Sequence, residues 1–168
     1  MLNKLLFFAS VLLWFFVIFQ LSGMPTESSN SKSKEFLTNF TISVSVVANK
    51  LGIIKEMPTN AEISKFVNKI NYPMRKVAHA TVYFVLATIL MFGFRKTFKL
   101  SFPKCCIIVL IICFAYSITD EYHQTFISGR TGQFSDCLID TIGAGFSVLI
   151  YSVCKKIFGK EKEKLHTN

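Results

Sequence analysis

CCIIVLIICFAYSITDEYHQTF, Cys105 to Phe126, is almost wholly apolar as far as Ile118 and then turns abruptly polar with Asp120, Glu121, His123 and Gln124. A helix rises ~1.5 Å per residue, so this stretch reaches ~33 Å, the depth of a bilayer's hydrocarbon core. It reads as a membrane-crossing helix with acids and an imidazole at one end. Working outward, three more apolar runs match it: Leu5–Leu21, Val77–Phe94 and Cys137–Cys154. The expected fold is therefore all-α, an integral membrane four-helix bundle in one domain, residues 1–168.

Composition agrees. Hydrophobic residues make 51% of the 168, and charged ones only 17%, where soluble domains carry about 25%. Mean hydropathy is +0.44. A soluble enzyme, a disulfide-knit secreted domain and a disordered chain are all disfavoured. The five cysteines, Cys105, Cys106, Cys113, Cys137 and Cys154, are odd in number, lack paired-knuckle spacing and lie mostly inside apolar runs. They read as small hydrophobes. The net charge of +9 comes from lysines and arginines that flank apolar runs, so it speaks for membrane orientation and against nucleic acid.

The first run is longer than an ordinary leader's apolar region, and no A-x-A site follows it, so it reads as a retained helix. Residues 22–72 differ in kind. A Ser/Asn/Lys-rich start, Ser28 to Ser33, leads into Leu37, Phe40, Val44, Val47, Leu51 and Ile54, one face of an amphipathic helix. Ile63, Phe66, Val67 and Ile70 form a second such face, and Thr59 with Glu62 makes a capping box before it. This loop is expected to be an extracytoplasmic amphipathic helical pair, lying on the membrane surface or packed on the bundle.

Arg95, Lys96, Lys99 and Lys104 lie between the second and third runs, and Lys155, Lys156, Lys160, Lys162 and Lys164 against Glu161 and Glu163 follow the fourth. Lys4 precedes the first, and the third link holds only Arg130. The positive-inside rule puts both termini in the cytoplasm of a multi-pass protein. Depth then follows. His79, Asp120 and Asp140 each lie ~22–24 Å above the basic edge of their own helix, so three helices place an ionisable group at one height near the outer surface. Arg75, His79 and Tyr83 share a face, as do Asp120, His123 and Gln124, and Asp136, Asp140, Gly143 and Ser147.

Charges in a membrane face the bundle interior or a watery cavity. One reading is structural: Arg75, Lys76 and Arg130 against Asp120, Glu121, Asp136 and Asp140 as an ion network. The other is an outward-facing polar pocket suited to proton transfer or an anionic headgroup. For a reaction, the candidates are Glu121, His123 and His79; for ligand binding, Lys76, Tyr83, Asp120, Gln124, Arg130, Asp136 and Asp140. His79, His123, Glu121 and Asp136 would be the set for a metal, but no two-ligand motif such as H-E-x-x-H is present, so neither metal nor cofactor is expected. Cys137 beside Asp136 is a poor nucleophile.

RKVAHATVYFVL, Arg75 to Leu86, resembles the R/K-x-x-H-x-x-x-Y segment of the VanZ-like family. DEYHQTFISGRTGQFSDCLIDTIGAGFSV, Asp120 to Val148, resembles its D-E-x-x-Q-x-F…G-R…D…D-x-x-G segment. The Ser-rich stretch from Leu21 to Ser33 is also similar to the family's post-helix segment. By this resemblance Lys76, His79, Tyr83, Asp120, Glu121, Gln124, Phe126, Gly129, Arg130, Asp136, Asp140 and Gly143 are motif positions, and His123 sits at a variable one. The resemblance implies a multi-pass protein of the bacterial plasma membrane. The founding member is associated with low-level resistance to teicoplanin, a glycopeptide with a fatty acyl chain that acts outside the membrane. Two functions are then in view: a binder of membrane lipids, lipid-linked envelope precursors or the drug's acyl tail, and an enzyme acting on an outer-leaflet lipid-linked substrate with Glu121 or His123 as base. A third, a purely structural partner of an envelope complex, would use the same residues as glue.

Overall fold

The structure, a computed structural model, describes the backbone of residues 1–165 and the side chains of residues 1–157. Lys160, Lys162, Lys164, Glu161 and Glu163, invoked above for orientation, have side chains outside the described residues. Five helices follow one another: α1 (Leu2–Ser22), α2 (Thr26–Lys50), α3 (Asn60–Thr97), α4 (Phe102–Gln124) and α5 (Phe134–Leu165). Among the described residues there is no strand. α1, α3, α4 and α5 are long and apolar enough to cross a membrane.

α3 is the hub and packs against each of the other four helices. Its inward face supplies Tyr83, Leu86, Ala87, Leu90 and Met91 to a core completed by Phe7, Val11 and Ile18 of α1, Cys105, Val109 and Cys113 of α4, and Ala144 of α5. The opposite faces expose large apolar residues such as Leu12, Phe16, Ile107, Ile111, Ile142 and Phe146. That surface suits lipid tails, which solvate apolar side chains at no cost. α5 lies directly against α3 at Gly143, where a Cβ would run into the Ala80 backbone. Thr88 and Ser147 hydroxyls meet one turn further on, at 2.8 Å.

α1 is tied to the bundle by three polar contacts. The Trp14 indole donates to the Val82 carbonyl at 2.9 Å, and the Tyr116 hydroxyl to the Phe15 carbonyl at 2.7 Å. The Ser22 hydroxyl donates to Asp120 at 2.8 Å. Each joins α1 to α3 or α4 near its C-terminal half.

Residues 22–72 are largely helical as expected, and the Ser-rich stretch belongs to the first of these helices, since α2 starts at Thr26. Its polar side chains are held by the rest of the fold: Thr26 donates its hydroxyl to the Gly129 carbonyl, and the Asn30 side chain accepts from Asn71 and Arg75. The second amphipathic segment is not a separate helix. It is fused to the second apolar run in one 38-residue α3, with Pro73 inside it. The capping box is formed as expected: Thr59 accepts from the Glu62 N–H, and the Glu62 carboxylate accepts from the Thr59 N–H at 2.8 Å. Between α2 and the first turns of α3 a small apolar cluster, Leu37, Ile63 and Val67, is buried. Phe40, Val44, Val47 and Leu51 remain exposed.

Candidate functional site

Motif residues from α3, α4, α5 and the 125–133 loop converge at one end of the bundle, beside the α1–α2 junction. His79, Asp120 and Asp140 meet there: one ligand-type atom from each lies within 4.8 Å of the others. The height arithmetic brought these three together from different helices, and the coordinates do the same.

The basic residues do not pair with the buried acids as an ion network would require. Lys76 with Asp136 is the single salt bridge among the described residues. Lys76 also lies 5.0 Å over the Tyr72 ring. Arg130 donates through Nε to the Met24 carbonyl at 3.0 Å and through Nη1 to the Gln124 side chain at 2.9 Å. Arg75 donates to Asn30 at 3.2 Å. Both guanidinium groups are thus positioned by neutral acceptors and keep their charge. Burial, and next the Arg75 charge, lower the pKa of Arg130 from its ordinary value. Two cations so placed favour an anion between them.

Two cavities share a wall made by Arg75, His79 and Arg130. The larger, about 300 Å³, runs between α1, α2 and α3 and is lined by Ile18, Leu21, Phe36, Val82 and Tyr83. Lys32, Ser29 and Ser33 of α2 rim it. The smaller, about 180 Å³, is polar and lined by Tyr72, Lys76, Gln124, Thr131, Gln133 and Asp136, among others.

The remaining predicted residues fall elsewhere. Glu121 is buried and its carboxylate is occupied, accepting from the Gln133 N–H at 2.9 Å and from Gln124 at 3.0 Å. It pins the 125–133 loop to α4. His123 stacks on Phe19 of α1, with ring centroids 4.3 Å apart. Neither residue lines either cavity. Asp120 accepts from Ser22 and, at 3.4 Å, from Gln124. Asp140 is 1% exposed and neither carboxylate oxygen has a hydrogen-bond partner among the described residues; the same holds for the Tyr83 hydroxyl. The set weighed for a metal, His79, His123, Glu121 and Asp136, is not the one brought together.

Sequence reasoning placed Arg75 beside His79 but left it out of the binding set, and it passed over Ser22, Asn30 and Met24. The signal for the last three was the stretch from Leu21 to Ser33, which is similar to the family's post-helix segment.

Comparison with curated proteins finds no match, and neither does comparison with solved structures. A family model described as VanZ/LLP1 matches residues 7–155. The match takes in four of the helices' full packing core, the shared wall of Arg75, His79 and Arg130, and the acid cluster behind it, so this chain belongs to the VanZ/LLP1 family.

Proposed function

We propose that the chain is a multi-pass protein of the bacterial plasma membrane, both termini cytoplasmic, that binds an anionic amphiphile at the outer leaflet. Its ligand is a membrane lipid or a lipid-linked envelope precursor. The headgroup sits against Arg75, Arg130 and Lys76, with Gln124, Asp136 and the Tyr72 ring around it. The acyl chain enters the apolar cavity between α1, α2 and α3. Through such binding the protein contributes to tolerance of teicoplanin, whose own acyl chain and envelope target meet at the same leaflet.

One observation carries this reading: a polar and an apolar cavity meet at two arginines that form no salt bridge with an acid among the described residues. An amphiphile has the same two-part chemistry, with a charged head joined to an apolar chain. A free anion would not need the 300 Å³ apolar cavity, and an uncharged lipid would not need the arginines. The positions of Glu121 and His123, off both cavity walls, give the enzymatic alternative less support than the binding one.

The test is made in a teicoplanin-sensitive Gram-positive host expressing the wild type, Arg75→Gln, Arg130→Ala or Glu121→Gln, with membrane levels matched by blot. Vancomycin, which lacks the acyl chain, is the control drug. The purified proteins are analysed by lipid mass spectrometry. Wild type and Glu121→Gln should raise tolerance to teicoplanin alone and co-purify with anionic lipid, and the two arginine variants should do neither. Loss of tolerance in a well-expressed Glu121→Gln would instead favour proton transfer and the enzymatic reading.

A further inference from the structure

The acid cluster behind the cavities has a chemistry that amphiphile binding does not use. Asp120, Asp140 and His79 come from three helices and present one oxygen, one oxygen and one nitrogen within 4.8 Å of one another. Asp140 is 1% exposed and Asp120 4%. Lys76 is committed to Asp136, and Arg130 and Arg75 to neutral acceptors. No protein cation is paired with either buried aspartate among the described residues. Asp140 has not even a hydrogen-bond donor, although an ionised carboxylate buried alone is very costly. A second group points to the same place. The Tyr83 hydroxyl, fully buried on the turn after His79, is also without a partner and lies within electrostatic range of both aspartates.

We propose that His79, Asp120 and Asp140 bind a divalent transition-metal cation, Zn²⁺ or Mn²⁺, with the unpartnered Tyr83 hydroxyl as a candidate further ligand. Two carboxylates cancel the charge of a divalent ion, so the site becomes neutral within the bundle. One imidazole with two carboxylates selects Zn²⁺ or Mn²⁺ over Ca²⁺ or Mg²⁺, which prefer all-oxygen shells. The size fits. Three atoms no more than 4.8 Å apart leave a central ion at most about 2.8 Å from each, and bonds of about 2.0–2.2 Å then need under 1 Å of side-chain adjustment. Ser22 and Gln124, which donate to one Asp120 oxygen, hold that carboxylate in place as second partners hold metal-ligating acids elsewhere.

The site is tested without any lipid, so its failure and that of the binding reading are separable. The full chain, purified in detergent on a histidine-free affinity tag and stripped with EDTA, is dialysed against micromolar Zn²⁺, Mn²⁺, Mg²⁺ or Ca²⁺. Bound metal is then measured by mass spectrometry. Wild type and the control Glu35→Gln, an exposed α2 position away from both cavities, should hold about one equivalent of Zn²⁺ or Mn²⁺, and Asp140→Asn and His79→Gln should bind at least tenfold more weakly. Equal metal content in wild type and Asp140→Asn, or preference for Ca²⁺ or Mg²⁺, overturns the proposal. Should both site variants fail to fold, X-ray absorption of the Zn²⁺-loaded wild type decides. A shell of one nitrogen and two or three oxygens supports the site. A sulfur ligand, an all-water shell or no bound metal overturns it.

Discussion

Arg75 and Arg130 are each held by backbone or amide oxygens, which fix a guanidinium in place and leave its charge available. Replacing either by Gln keeps an amide donor on a shorter side chain and removes the charge. Charge-assisted bonds contribute about 1.5–3 kcal/mol, so each variant should retain roughly tenfold less anionic lipid, with zwitterionic lipid unchanged. Lipid mass spectrometry on matched preparations reads this directly. Lys76 and Asp136 behave differently, because their side chains are 22% and 31% exposed. A pair this wet contributes about 0–1 kcal/mol. Lys76→Met should therefore shift the melting temperature only slightly while still weakening headgroup binding. At this scale the sequence was informative where depth could be counted: His79, Asp120 and Asp140 each sit a fixed number of residues above a basic flank. His123 is set apart from these three. Three residues past Asp120 the helix has turned about 300°, which leaves the ring some 60° away from the aspartate and onto Phe19 of α1. Asn30 and Ser22 lie near helix ends, where polar residues carry no periodic signal, whereas Arg75 shares the His79 face but precedes the apolar run by which that helix was recognised.

Helices come close only where side chains permit it. At Gly143 the neighbour of a new Cβ is Ala80 backbone, which has no rotamer to move. Gly143→Ala should therefore push α5 from α3 and cost about 1–3 kcal/mol, seen as a lower melting temperature in detergent. Gly145→Ala is the matched control, since nothing lies within 4 Å of its Cβ position, and it should be neutral. The start of α3 offers a pH-dependent counterpart. Hydrogen bonds from the Thr59 backbone and side chain hold the Glu62 carboxyl below its ordinary range. A depressed acid stabilises the fold above its unfolded pKa, and that contribution is lost as pH falls through the folded one. Protection of the first-turn amides of α3, as exchange rates relative to their intrinsic rates at each pH, should thus hold near neutrality and fall only below about pH 4. In Thr59→Ala exchange should be roughly fivefold faster at neutral pH. The capping box was legible because both partners are local. The continuity of α3 was not, because Pro73 predicts a boundary from its own chemistry. What overrides it is tertiary: Ile63 and Val67 pack on Leu37 before the proline, and Asn71 and Arg75 share Asn30 across it. The same Asn30 contacts hold the Ser-rich start of α2 against α3.

For the whole molecule, the four apolar helices were plain in composition and run length, since a bilayer demands both. The arrangement of α2 was not, because its apolar face is largely exposed and no internal partner dictates it. Orientation makes a direct prediction. In a background without the five native cysteines, Glu56→Cys between α2 and α3 should react with a membrane-impermeant thiol reagent on intact cells. Lys96→Cys, at the opposite end of α3, should react only after the membrane is opened. Reversed labelling would invert the topology proposed here and move the cavities to the cytoplasmic leaflet. Pro73 has a mechanical consequence at this scale. It has no N–H to give the Lys69 carbonyl, so α3 is a single rod with one weakened joint, half a turn before Arg75. From that joint to Asn60 is a lever of ~20 Å. A kink of about 20° would swing its tip by ~7 Å, more than the width of a hydrocarbon chain, while the arginine beside the fulcrum scarcely stirs.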